Sequence, residues 1–124
     1  MLRKYNKTDF NEISTWFQDR KIAIQEDYLS KTGFIVPDTA AGFLYRTDAN
    51  FCIFECFIGN PKKTSEERDA ALNSIVAALI GEAKEMGFKE VYGFATSQSM
   101  IRRGFEQGFK QLETCTMIVK DLRS

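Results

Sequence analysis

The apolar positions change period several times along the chain, and each change marks an element. Residues 2–6 read as a short first strand. After Thr8-Asp9, which offers a helix N-cap, Phe10, Ile13, Trp16 and Phe17 recur at helical spacing. That helix is expected to run to about Arg20, with a further turn or short helix through Ile24 and Tyr28. Gly33-Phe34-Ile35-Val36 is β-branched and aromatic and stops at Pro37-Asp38, which predicts a strand. Residues 41–46 and 51–58 predict a hairpin around Thr47-Asp48-Ala49-Asn50. Its second arm, Phe51 to Ile58, is apolar on both faces except at Glu55, as in a strand covered on both sides.

Residues 64–86 carry the clearest helical stripe, with Leu72, Ile75, Val76, Leu79, Ile80, Ala83 and Met86 on one face and Gly87 as a stop. Val91 to Ala95 reads as a strand. A helix follows from about Gln98 to Gln107, ended by Gly108. Residues 109–120 are strand-like, Cys115, Met117 and Val119 alternating against Thr116, Ile118 and Lys120. The order is β-α-(α)-β-β-β-α-β-α-β. A right-handed crossover through the long helix makes the strands at 51–58 and 90–95 parallel, and the earlier strands form an antiparallel meander. The expected fold class is α/β, a mixed sheet with helices on both faces.

At 124 residues the chain fits one domain spanning 1–124. With 44% hydrophobic residues and 11 Phe, it can build a core without disulfides or metals. The 17 basic and 17 acidic residues balance, so no overall charge draws it to nucleic acid or an anionic membrane. No apolar run is long enough to cross a bilayer, and the polar turn at Arg3-Lys4 is unlike a secretory leader. Three cysteines, Cys52, Cys56 and Cys115, fit a reducing compartment, so a cytoplasmic location is expected. Cys52 and Cys56, four apart in one strand, are expected to share a face as small buried hydrophobes. With no histidine, Ser-His-Asp and Cys-His catalysis and histidine-ligated zinc are excluded.

Three stretches, taken with the element order, resemble the GNAT superfamily of acetyltransferases over nearly the whole chain. Leu2-Arg3-Lys4 and Lys7-Thr8-Asp9-Phe10 are similar to that family's first strand and the acidic start of its first helix. Ala78-Leu79-Ile80-Gly81-Glu82-Ala83-Lys84-Glu85-Met86-Gly87-Phe88 resembles the end of the helix after the family's cofactor loop. Arg102-Arg103-Gly104-Phe105-Glu106-Gln107-Gly108-Phe109 resembles the end of its last helix. The resemblance implies a GNAT-like mixed sheet, with acetyl-CoA in the splay between two parallel strands. Pantetheine would pair with the backbone of the strand at 51–58, here Cys56, Phe57 and Ile58, and the pyrophosphate would sit on the next helix N-terminus.

The loop that should cradle that pyrophosphate, Pro61 to Leu72, contains no glycine where the family has Arg/Gln-x-x-Gly-x-Gly/Ala. Its best match is Arg68-Asp69-Ala70-Ala71, with Ala71 or Ala70 at the first glycine's place. Two readings compete. In one, Lys62, Lys63 and Arg68 grip phosphates around Ser65 and the helix amides. In the other, Thr64 is an N-cap, Glu67 completes a capping box, and Glu66, Glu67 and Asp69 satisfy the helix dipole themselves.

For the chemistry, the resemblance points to a strand carboxylate as base and a last-helix tyrosine as acid. Glu55 is the one charge in the most apolar strand, and burial without a cationic partner would raise its pKa toward that of a useful base. If Thr47 faces Asn50, Glu55 sits opposite Gly42, with room above it for a substrate. The alternative is a carboxylate at a solvated edge or tied to a lysine or arginine. The tyrosine is absent: its place falls at Gly104, Arg103 or Phe105, and the family's helix-start asparagine is Ser97. Tyr92 could supply a hydroxyl, though a core or rim aromatic is the plainer role. Arg102 and Arg103 suit CoA phosphates, an acidic partner, or merely a solvated helix face.

Three functions are compatible with this. The first is a divergent acetyl-CoA-dependent N-acetyltransferase acting on a small-molecule or protein amine. The second is a non-catalytic GNAT-like binding or assembly protein with a protein partner, similar to compact, motif-poor members in tailed bacteriophages such as internal virion proteins. The third is a sensor that holds a CoA-like ligand without turnover. The acceptor would be set by residues 20–32, including Lys21, Glu26, Asp27 and Lys31.

Overall fold

The computed structural model describes residues 1–123. Strands β1 (Arg3–Lys4), β2 (Thr32–Val36), β3 (Ala40–Tyr45), β4 (Phe51–Gly59) and β5 (Glu90–Gly93) form one sheet in that order. The first four are antiparallel neighbours, and β5 joins β4 in parallel. Helices α1 (Phe10–Asp19), α2 (Ser65–Glu85) and α3 (Gln98–Glu106) complete the α/β architecture expected from the periodicity. The segment through Ile24 and Tyr28 forms only a 3₁₀ turn, Glu26–Tyr28. No helix among the described residues is long and apolar enough to cross a membrane.

The pleat sends alternate residues to two cores. On one face, Ile35, Phe43 and Ile58 meet Ile13, Trp16 and Phe17 of α1. Trp16 and Phe17 are therefore core. On the other face, Leu44, Cys52 and Phe54 meet Ile75, Leu79 and Ala83 of α2. Apolar burial on both faces explains why β4 carries apolar residues in both alternating sets.

The entry to α1 differs from the expected Thr8-Asp9 cap. Asn6 caps a 3₁₀ turn at Lys7–Asp9, while the Asp9 carboxylate accepts the Asn6 N–H at 2.9 Å and a two-pronged bond from Arg3 at 2.8 and 2.9 Å. This buried carboxylate ties β1 to the start of α1. The Arg3 guanidinium holds its pKa below the ordinary carboxylate range. A depressed folded pKa means the stabilisation is complete above the unfolded value, about 3.9, and fades as pH falls through the folded one. Asp9→Ala should therefore cost about 1–2 kcal/mol at pH 7. In urea titrations the gap from the parent should narrow below about pH 4; a gap constant down to pH 2 would refute the linkage.

The β3–β4 hairpin holds the largest departure from the expected register. Thr47 faces Phe51, whose carbonyl accepts its hydroxyl at 2.6 Å, and Tyr45 pairs with Ile53. Glu55 consequently lies opposite Phe43, not Gly42. The pairing then slips by one: Phe43 faces Glu55, but Ala41 faces Ile58, so Cys56 and Phe57 oppose Gly42 alone. This is a β-bulge, and Cys56 takes φ of +61°, a strained value for a side-chain-bearing residue. The extra residue reverses the parity of β4. Cys52 packs on the α2 face and Cys56 on the α1 face, so the two cysteines do not share a face. The expected space above Gly42 is filled as well, since a Cβ there would come within 2.4 Å of the Phe57 ring.

One expected element does not form. Residues 109–120 are not a strand in this structure, and their side chains beyond Phe109 are exposed. Phe109 itself packs near Phe54, ring centroids 6.2 Å apart. The sheet therefore ends at β5.

Candidate functional site

The bulge sits where β4 loses its parallel neighbour. Phe51 to Phe54 pair with Glu90 to Gly93, and there β5 ends, while β4 continues for Glu55 to Gly59. The two parallel strands thus part at the position where Cys56 is strained. Backbone groups of β4 that would face a neighbouring strand are left without one, so an extended ligand can add along them by strand-like hydrogen bonds. Cys56, Phe57 and Ile58 all lie in this unpartnered stretch.

Glu55 is half-buried at the parting of the strands, on the Phe43 side of the sheet. Its Oε1 accepts the Cys56 N–H at 3.2 Å, bracing the bulge. Among the described residues no lysine or arginine forms an ion pair with it, so the alternative of a carboxylate neutralised by a basic side chain does not hold. Beside it, the Tyr45 hydroxyl reaches Tyr28 O at 2.9 Å and Cys56 Sγ at 3.2 Å. Burial pushes both the Tyr45 hydroxyl and the Cys56 thiol above their ordinary pKa values. The thiol is therefore protonated at neutral pH and not poised as a nucleophile. Tyr45 was not singled out in the sequence, where it is one more aromatic in an apolar strand; only folding brings its hydroxyl to the bulge.

At the start of α2, the capping box expected from Thr64 and Glu67 forms. Thr64 Oγ1 accepts the Glu67 N–H at 3.1 Å, and Glu67 Oε1 accepts the Thr64 N–H at 3.0 Å. The Thr64 amide and hydroxyl hold the Glu67 carboxyl below its ordinary pKa, so the helix start carries its charge. Arg68 N already bonds Thr64 O, which leaves the N–H groups of Ser65 and Glu66 without an acceptor among the described residues. Ala70 and Ala71 lie a turn further in, and Ala71 is buried against the sheet.

The basic residues here are anchored differently from one another. Lys63 pairs with Asp38 at 3.2 Å, and Lys62 is exposed. Arg68 lies over Gly59, where a Cβ would come within 2.7 Å of its Cδ, and donates to Lys63 O at 2.6 Å. Arg20, absent from the sequence candidates, donates to Gly59 O at 2.7 Å. Burial and the repulsion of Arg68 lower its pKa. Two guanidiniums thus converge on the end of β4 with no carboxylate partner among the described residues. Nothing in the local sequence marks Arg20, because its partner lies 39 residues away.

Arg102 is exposed on the helix face, whereas Arg103 is turned inward. Arg103 is buried and donates to Asp69 Oδ1 at 2.8 Å, with Arg102 at 3.5 Å from the same oxygen. Together with Gln107 Nε2 on Asn73 O at 3.2 Å, they clamp α3 to α2. Ser97 caps α3 through the Met100 N–H, and Tyr92 rests on Phe51 with centroids 4.9 Å apart. A separate open cleft of about 630 Å³ lies by the first turn and the 20–32 stretch, lined by Tyr5, Lys7, Glu26, Asp27 and Lys31 among others. The buried Tyr5 hydroxyl has no hydrogen-bond partner among the described residues.

The fold is therefore a GNAT-like mixed α/β sheet, splayed and bulged at β4. Solved structures share it across almost the whole of this chain. A putative acetyltransferase from Agrobacterium tumefaciens superposes with a TM-score of 0.71 at 13% identity, covering 97% of this chain and 99% of that one. Rv2747 from Mycobacterium tuberculosis, in complex with CoA and NLQ, gives 0.76 at 13% identity over 95% of this chain and 76% of its own. Glucosamine-6-phosphate N-acetyltransferase from Arabidopsis thaliana gives 0.69 at 10% identity over 98% of both. No family model matches the sequence, and no curated protein matches it. Identities this low establish the shared fold.

Proposed function

We propose that the protein is a divergent GNAT-type acyltransferase that uses acetyl-CoA to acetylate an amine. The observation carrying this is the open splay: β4 runs five residues beyond the end of β5, bulged and strained at Cys56 beside the unpaired carboxylate of Glu55. Pantetheine pairs with the backbone at Cys56, Phe57 and Ile58. The amides of Ser65 and Glu66 take the pyrophosphate, with the neighbouring Arg20 and Arg68 neutralising it and Lys63 available once released from Asp38. Ala70 and Ala71 shape the helix behind this seat without contacting it. Glu55 receives the proton of the attacking amine, the amine nitrogen bonds the thioester carbon, and the thiolate leaves as CoA. A thiol pKa of about 8.5 lets it depart without a dedicated acid. The acceptor enters from the cleft at Glu26 and Asp27, whose carboxylates suit a cationic amine.

One observation favours a second reading, a GNAT-like protein that binds without turnover. The capping box already occupies two of the helix-end donors, and Glu66 and Glu67 oppose a pyrophosphate there. A thermal scan separates the two. With acetyl-CoA at a hundredfold excess over its dissociation constant, stabilisation should be about 2.7 kcal/mol, a rise of several degrees in Tm. No rise at millimolar acetyl-CoA would overturn the acyltransferase reading.

A further inference from the structure

No step of the proposed transfer uses Tyr45, yet its hydroxyl joins the two halves of the site. It meets Tyr28 O at 2.9 Å on one side and Cys56 Sγ at 3.2 Å on the other. The first contact is the one hydrogen bond among the described residues that ties the Glu26–Tyr28 turn to the sheet. That turn carries Glu26 and Asp27, which line the open cleft. The second contact ends on the strained bulge residue, whose N–H is held by Glu55. The bulge is what brings the pair together. By the parity of Cys52 and Phe54, residue 56 belongs on the α2 face, and the extra residue turns it to the α1 face, where Tyr45 packs.

A hydroxyl has one hydrogen to give. Tyr28 O can only accept, so it takes that hydrogen. The Cys56 thiol, kept protonated by burial, then donates its own to the Tyr45 oxygen. Cys56, Tyr45 and Tyr28 thus form a short chain of hydrogen bonds running one way, in which each bond polarises the next. We propose that Tyr45 is a positioning residue that transmits occupancy of the acyl-CoA strand to the wall of the acceptor cleft. This rests on the reading of acetyl-CoA along Cys56 to Ile58. Pantetheine paired to that backbone fixes Cys56, Cys56 fixes the Tyr45 hydroxyl, and the hydroxyl fixes the turn that bears Glu26 and Asp27. The amine is then gripped most firmly when the thioester is in place.

Amide hydrogen exchange of the full chain, with and without saturating acetyl-CoA, tests this with the amine still unidentified. The Tyr28 and Leu29 amides, bonded to Gln25 O and Glu26 O, report opening of the turn. Acetyl-CoA should slow their exchange about two- to tenfold, the span of one net hydrogen bond. Exchange across 55–59 should slow with them. In Tyr45→Phe, which keeps the ring and loses the hydroxyl, slowing should remain across 55–59 and vanish at Tyr28 and Leu29. Cys56→Ala cuts the same chain at its other end and should give the same result, while Cys56→Ser, which restores a donor, should recover the slowing. A bond that merely stiffened the turn would change its exchange equally with and without acetyl-CoA. Slowing at the turn that persists in Tyr45→Phe or in Cys56→Ala would overturn the coupling, as would a parent slowed only across 55–59. No slowing in either place, with no rise in Tm, would overturn the acyl-CoA reading and the coupling with it.

Discussion

Glu55→Gln should lower acetyl transfer by about a hundredfold or more, the range for loss of a positioned general base. The substitution keeps shape and still offers an oxygen to the Cys56 N–H, so the bulge and the fold persist. What it removes is the capacity to take a proton from the amine. The rise in Tm with acetyl-CoA should therefore be unchanged, while thiol release from acetyl-CoA with an accepted amine falls. Turnover equal to the parent's, with the Tm rise intact, would remove Glu55 from the chemistry. A lost Tm rise would instead give it a role in seating the cofactor.

Asp69→Ala should destabilise the fold by about 2–3 kcal/mol. The reason is the guanidinium it strands: Arg103 is 7% exposed and bonds no other carboxylate among the described residues, while its Nε already lacks a partner. Breaking a fully buried pair costs roughly 3–5 kcal/mol. Here the Asp69 side chain is 36% exposed, so water recovers part of that loss. Adding Arg103→Met to Asp69→Ala should restore most of the stability, because the apolar side chain leaves no buried charge. Urea unfolding of the three variants decides this. A double variant no more stable than Asp69→Ala would show that α3 is held by shape and not by this charge.

The elements were legible because each buries a face, and burial imposes a period. The α2 stripe from Leu72 to Met86 and the two-sided apolar β4 could be read directly. So could the Thr64–Glu67 box, whose partners are three residues apart and need no tertiary context. The hairpin register was not legible. A side-chain bond from Thr47 to the Phe51 carbonyl set the turn one residue from the expected position. The bulge then reversed parity at Cys56, where no glycine or proline announces it. A single unsignalled residue thus separated Cys52 from Cys56 and moved Glu55 from Gly42 to Phe43.

By itself the sequence determined the α/β class, the order of the elements, the parallel joining of β4 and β5 and the self-capped, glycine-free start of α2. These rest on periodicity and on contacts between near neighbours in the chain. Only the tertiary structure decided where the parallel strands part, that Arg20 and Arg68 converge on Gly59, and that Arg103 is used up on Asp69. It also decided that the alternating tail finds no partner on its own sheet. Each of these joins groups distant in sequence, or depends on where a strand stops, and no local pattern encodes either.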